Sequence, residues 1–243
     1  MSARLKFFSI HLLLSLFIIF LVFIFIFIFW YPSPLAEAVG VKNIMFIVIC
    51  IDIIVGPILA LIIYNEFKKR LKMELMVIFI IQIFALIWGV VTIFQGRPIW
   101  IAYNVDRFEL VCNNEIIVNN QLNILPQFKS NPIFSQKFVG VELAKDPQIR
   151  SEEMFQEVFS GISIAQKPEH YVDIMKVKNQ IKDRAINLKQ LKNFNDQKQL
   201  SLILSKYPQA NAYLPLKARK LDMTILINSG RGEVIAIVNL RPW

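Results

Sequence analysis

Cysteine and histidine are scarce in this chain, with two of each among 243 residues. Cys50 lies in an apolar run and Cys112 in a water-soluble region, so the two are not expected to pair, and no disulfide framework exists. Both read as small packing residues. His11 and His170 are too few for a zinc set. A His-dependent triad would rest on His170 alone, in Lys167-Pro168-Glu169-His170-Tyr171, which reads as a helix entry. There is no G-x-x-x-x-G-K-[ST] phosphate loop, no G-x-G-x-x-G turn and no G-x-S-x-G elbow. Charged residues make up only 19% of the chain, and no block of like charge or basic helix points to nucleic acid. No internal repeat or low-complexity tract is visible. The expectation is a protein that is not an enzyme, carries no catalytic, cofactor-binding or metal-binding residues, and does not bind nucleic acid.

Apolar side chains are abundant, at 55%, and concentrated before Arg97. Three runs suit the length of about 20 residues that a membrane-spanning helix needs. They place spans at about residues 7–31, 44–65 and 73–94. Ala36-Glu37-Ala38 has the form of a signal cleavage site, but the first apolar run is longer than a signal core, so it reads as an uncleaved span. Trp30-Tyr31 reads as its aromatic interface anchor, and His11 and Ser15 as headgroup-level polar residues. Arg4 and Lys6 share one side with Lys68, Lys69, Arg70 and Lys72. The excess of positive residues makes that side cytoplasmic and puts the large C-terminal domain outside.

The second run is IMFIVICIDIIVGPILALIIY, with Asp52 near its middle. A carboxyl there is expensive in lipid and is expected to face protein, water or a partner. Gly56-Pro57 follows one turn later. Pro57 has no N–H to donate and is expected to loosen the helix and free carbonyls near Asp52. Gln82 is a single polar group within the third span, suited to an interhelical hydrogen bond. Asp52, Gly56, Pro57 and Gln82 are therefore the candidate partner-binding residues. Asp52 reads equally well as a structural polar contact.

From Arg97 onward the chain is water-soluble in character and of ordinary domain size. It carries +6 of the net charge of +9, as seven basic and four acidic residues precede Arg97. Strand-like content marks Trp100–Val111, with Glu115–Val118 and Phe138–Leu143 weaker. Helices are expected over Ser151–Phe159, with Ser151 as cap, and over about Tyr171–Leu191 and Asp196–Ser205. Met154, Phe155, Val158 and Phe159 form the apolar stripe of the first of these. Two β-branched runs, Met223–Ile227 and Glu233–Val238, flank Asn228-Ser229-Gly230-Arg231-Gly232 and read as a hairpin. Asp106 and Arg107 fall on opposite faces of a strand, and each reads as a member of a surface or interdomain salt bridge rather than of a site. The fold class is a membrane protein: three transmembrane α-helices followed by an α+β extracytoplasmic (periplasmic) domain ending in a β-hairpin. The domains are residues 1–96, the transmembrane part, and residues 97–243, the α+β part.

Several short stretches together resemble a known family. They are the Arg/Lys start, Trp30-Tyr31-Pro32-Ser33-Pro34, Asp52 with Val55-Gly56-Pro57, Tyr103-Asn104-Val105-Asp106-Arg107-Phe108, Leu214-Pro215-Leu216-Lys217-Ala218-Arg219, and Leu240-Arg241-Pro242-Trp243. In this order they are similar to type IV pilin accessory proteins of the TfpX/TfpZ family. The resemblance implies an inner-membrane protein of Gram-negative bacteria that assists the stability or assembly of a major type IV pilin, with no catalytic residue to carry over. The chain is not itself a pilin, since it lacks the G-F-T-x-x-E start. Two other classes stay open: a membrane enzyme that modifies pilin, such as a glycosyltransferase, and a membrane-anchored sensor.

Overall fold

The computed structural model describes residues 2–119 and 121–243, which divide into two compact units. The first holds the chain up to Pro32 together with Val41–Gly96. The second holds Ser33–Gly40 together with Arg97–Trp243. The division differs from the sequence-based boundary in one respect: residues 33–40 were expected within the first domain and fold with the second.

The first unit is helical. Helix α1 (Ala3–Phe25) continues as a π-helical turn, Ile26–Trp30. The short helix α2 (Leu35–Val39) belongs to the second unit. Helix α3 (Lys42–Ile49) passes through a π-helical segment, Cys50–Val55, into α4 (Gly56–Ile63), and α5 runs from Leu71 to Gln95. Three stretches, Ala3–Trp30, Lys42–Ile63 and Leu71–Gln95, are long and apolar enough to cross a membrane. Their outer faces are apolar, as expected for helices whose solvent is lipid. Glycine lets them approach closely: a Cβ on Gly89 would lie 2.5 Å from Val48 Cγ2. Trp30 and Tyr31 do not serve as an exposed interface anchor. Both are buried; Tyr31 Oη donates to the Ile93 carbonyl at 2.7 Å, and the Trp30 ring packs on Phe94. The end of α5 offers that hydroxyl an unpaired helix-terminal carbonyl, which outcompetes an outward orientation.

The second unit is built on one mixed sheet. Its elements are β1 (Pro98–Asn104), β2 (Arg107–Cys112), β3 (Lys137–Val141), α6 (Pro147–Ser160), β4 (Tyr171–Val172), α7 (Lys178–Asp183), β5 (Ile186–Asn187), α8 (Gln197–Leu204), β6 (Ala212–Lys217), β7 (Met223–Asn228) and β8 (Glu233–Val238). The strand order is β4-β3-β1-β2-β6-β7-β8, with β5 beside β6. The pairs β1–β3 and β2–β6 are parallel, and the others are antiparallel.

Alternation along β1 sends Ile101 and Tyr103 to one face and Trp100 and Ala102 to the other. A bulge at its start turns Ile99 to the side of Trp100. On the first face lie Phe108, Leu214, Leu216, Ile225 and, from the segment between the first two long helices, Leu35 and Ala38. That segment is also hydrogen-bonded into the unit: the Lys220 and Leu221 amides donate to the Ala38 carbonyl, and Asn239 Nδ2 donates to Glu37. On the second face Trp100, Phe128 and Tyr171 meet edge to face. The chain end is fastened as well, with Leu240 buried and its carbonyl accepting from Thr224 Oγ1.

Several expectations for this unit are corrected. Trp100–Val111 is two strands, with a tight turn at Val105-Asp106 in which Val105 takes a left-handed φ of 57°. Asp106 therefore lies in the turn and Arg107 opens β2; Arg107 pairs with Asp106, Glu109 and Glu157. Glu115–Val118 forms no strand: Glu115 ends a 3₁₀ turn, Asn113–Glu115, and irregular chain follows. The stretch Tyr171–Leu191 is not one helix but β4, a 3₁₀ turn, α7, β5 and a second 3₁₀ turn. Asp173 and Asn187 explain the breaks, because each accepts from a backbone amide two residues on and so restarts the chain locally. Pro168 opens a 3₁₀ turn that leads into β4 rather than a helix.

Candidate functional site

The Pro57 effect shapes the site. In an α-helix the Gly56 amide would donate to the Asp52 carbonyl; here it donates one residue further back, to Ile51. The next amide along would be that of Pro57, which has no hydrogen. The Asp52 carbonyl thus lacks a donor from its own helix, and Gln82 Nε2 of α5 supplies one at 3.3 Å. Gln82 Oε1 in turn meets His11 Nε2 of α1 at 2.9 Å. Gly56 makes room for this amide, since a Cβ there would lie 1.8 Å from Gln82 Nε2. One buried side-chain amide so ties three long helices together.

Beside this chain of bonds is a cavity of about 420 Å³. Ile10, Leu14, Met76 and Phe79 line it and are exposed, so it opens on the outer surface of the helices as a groove. His11, Ser15, Asp52 and Gln82 give it a polar interior. Asp52 is 5% exposed, and its Oδ2 is buried with no hydrogen-bond partner among the described residues. The groove can receive an apolar segment and offer it one polar contact.

A second surface lies on the sheet unit. Helix α6 starts at its N-cap Asp146, four residues before Arg150, not at Ser151, and ends at Gly161 with φ +70°. Its polar side faces the domain: Glu153 meets His170 Nε2 at 2.7 Å, Glu157 meets Arg107, and Lys167 donates to Gln156. Its apolar stripe faces out, with Val158 78% and Phe159 81% exposed and the Phe155 and Phe159 rings stacked on each other.

Comparison with known proteins gives these residues a context. The family profile described as Fimbrial assembly protein FimB matches residues 1–40. The fimbrial assembly protein of serogroups C1 and C2 from Dichelobacter nodosus is 33% identical over 125 residues, half of this chain and 92% of that relative. The chain belongs to the fimbrial assembly protein family. Serogroup I and E1 fimbrial assembly proteins of the same organism are 30% and 29% identical over 139 residues, 56% of this chain. The match spans about half of each of those two relatives, 54%. Their names describe assembly proteins rather than enzymes, and they agree with the resemblance to type IV pilus accessory proteins. No solved structure matches the chain.

Within this fimbrial assembly family member, the residues singled out from sequence are neighbours. Asp52 and Gln82 line the groove, and Gly56 and Pro57 act on it through space and backbone. His11 and Ser15 belong with them rather than at headgroup level, and both fall within the family match at residues 1–40. Their spacing of four residues, which puts them on one helix face, was the available signal.

Proposed function

We propose that this protein is an inner-membrane assembly factor that binds the major type IV pilin and keeps the unassembled subunit stable until it enters the pilus. The groove carries the reading: it is an apolar, laterally open site with a polar interior, in a chain whose relatives are fimbrial assembly proteins. A pilus subunit waiting in the membrane has an apolar helix to shelter and a soluble head outside. The helical unit suits the first, and the sheet unit, with the exposed face of α6, suits the second. The positive residues Arg4, Lys6 and the Lys68–Lys72 stretch support a cytoplasmic side for themselves and a periplasmic one for the sheet unit. The folding of Ser33–Gly40 with the sheet unit supports this topology, as it requires the first loop and the C-terminal domain to share a side.

Deleting the gene tests the role. Pilin levels in membranes should fall while its transcript is unchanged, and wild-type protein should restore them. Unchanged pilin abundance and piliation would contradict it. An unchanged pilin mass in the deletion strain separates this reading from that of a modifying enzyme. C-terminal alkaline phosphatase fusions should be active; inactive fusions at normal abundance would reverse the orientation.

A further inference from the structure

The polar groups of the groove are unequally served. Gln82 is engaged at both ends of its amide, with His11 and with the Asp52 carbonyl. The Asp52 side chain is not: Asp52 lines the groove, and its Oδ2, buried behind that surface, receives no hydrogen bond from any described residue. A buried carboxyl oxygen without a hydrogen-bond partner is unfavourable whether the group is ionised or neutral. A ligand in the groove, against the Asp52 side chain, is placed to supply the missing donor. A lipid acyl chain would fill the apolar volume and leave Oδ2 as it is. A helix carrying one donor among apolar residues would satisfy both the volume and the oxygen.

The depth of that donor follows from the position of Asp52. It is the eleventh residue of the stretch Lys42–Ile63, about 15 Å from either end at 1.5 Å per residue. Building on the proposed role in pilin binding, we infer that the groove selects a pilus-subunit helix bearing a hydrogen-bond donor at mid-membrane depth, and that Asp52 is the acceptor that recognises it. Gln82 and His11 are positioning residues here: they hold the Asp52 turn and do not meet the ligand through the amide they share.

The test uses full-length protein and full-length major pilin, each in its membrane form, co-reconstituted in lipid nanodiscs and titrated by energy transfer. Asp52→Leu should weaken association roughly three- to twentyfold, the range of single hydrogen bonds within membranes. Asp52→Asn, which keeps an acceptor oxygen, should stay within roughly threefold of wild type. Replacing the pilin's mid-span donor by Leu should give the same loss without altering this chain, and combining it with Asp52→Leu should add nothing further. Association unchanged in Asp52→Leu, with lipid alone in the groove, would overturn the inference and leave the assembly role standing. So would additive losses, or losses from donors at any depth. No association of the wild-type pair would contradict both readings.

Discussion

The two units solve opposite problems with opposite surfaces. In the helical unit the outside is apolar, and Gln82 on the inside bonds both His11 and the Asp52 carbonyl. In the sheet unit the apolar core is inside, on two faces of one sheet, and most charged side chains lie outside. Each unit has a place where its own rule is broken. In the helical unit it is Asp52, whose buried Oδ2 receives no hydrogen bond from any described residue. In the sheet unit it is α6, where Glu153 and Glu157 face the domain and the phenylalanines face out. Departures of this kind cost stability and are retained where a partner completes them. The comparison teaches that contact surfaces are to be sought where a unit violates the polarity of its own solvent.

Breaking the sheet should have the largest effect. Strand β7 lies between β6 and β8, and Met223, Ile225 and Ile227 are buried on the face shared with Leu35 and Ala38. Truncation before Met223 should abolish the folded domain, read as loss of a protease-resistant core. Normal accumulation of the truncated chain would contradict that.

A paired substitution sharpens the contrast between the core and α6. Ile225→Ala should cost about 2–5 kcal/mol in thermal or denaturant unfolding of the detergent-solubilised protein. Phe159→Ser should change stability by no more than about 0.5 kcal/mol, because its ring has little to lose on the domain side. A large loss from Phe159→Ser would mean that the stripe packs inward.

In the helical unit, Gly56→Ala should cost about 1–3 kcal/mol by driving the Gln82 amide out of place. In a Gln82→Ala background the same change should be nearly neutral, since the clashing group is gone. Additive costs would show that Gly56 and Gln82 do not interact.

The smallest effect is on thiol chemistry. Cys112 is buried, and that burial, reinforced by Glu115, pushes its thiol well above the ordinary range. A raised value means the reactive thiolate stays absent as pH rises, so maleimide should leave Cys112 unlabelled from pH 7 to about pH 9 and label it once the domain unfolds. Labelling of the folded protein would count against the packing of β2.

The helices were legible because length and apolarity suffice to mark them, and Asp52, Gly56 and Gln82 because polar or small residues stand out in an apolar run. The strands β7 and β8 were legible as β-branched runs. Strand β6 was not, although it joins β2 to β7, because Pro215 sits within it and proline argues against an inner strand. The turn at Val105 was hidden by a β-branched residue in a left-handed conformation. The direction of α6 was invisible for a deeper reason. Periodicity reports that a helix has an apolar stripe, and only tertiary ion pairs such as those of Arg107 and His170 decide which way the stripe points. His11 was read by its place near the chain start, whereas its contact is set by α5.

The claim at the centre of this account is that pilin lies in the groove. A photoreactive residue placed at Met76 or Phe79, which line the groove, or at Phe84 or Trp88, which are exposed outside it, tests that directly in cells. The account predicts adducts with the major pilin from positions 76 and 79 and little from 84 and 88. Equal adducts from all four positions, or pilin adducts from 84 and 88 alone, would contradict it.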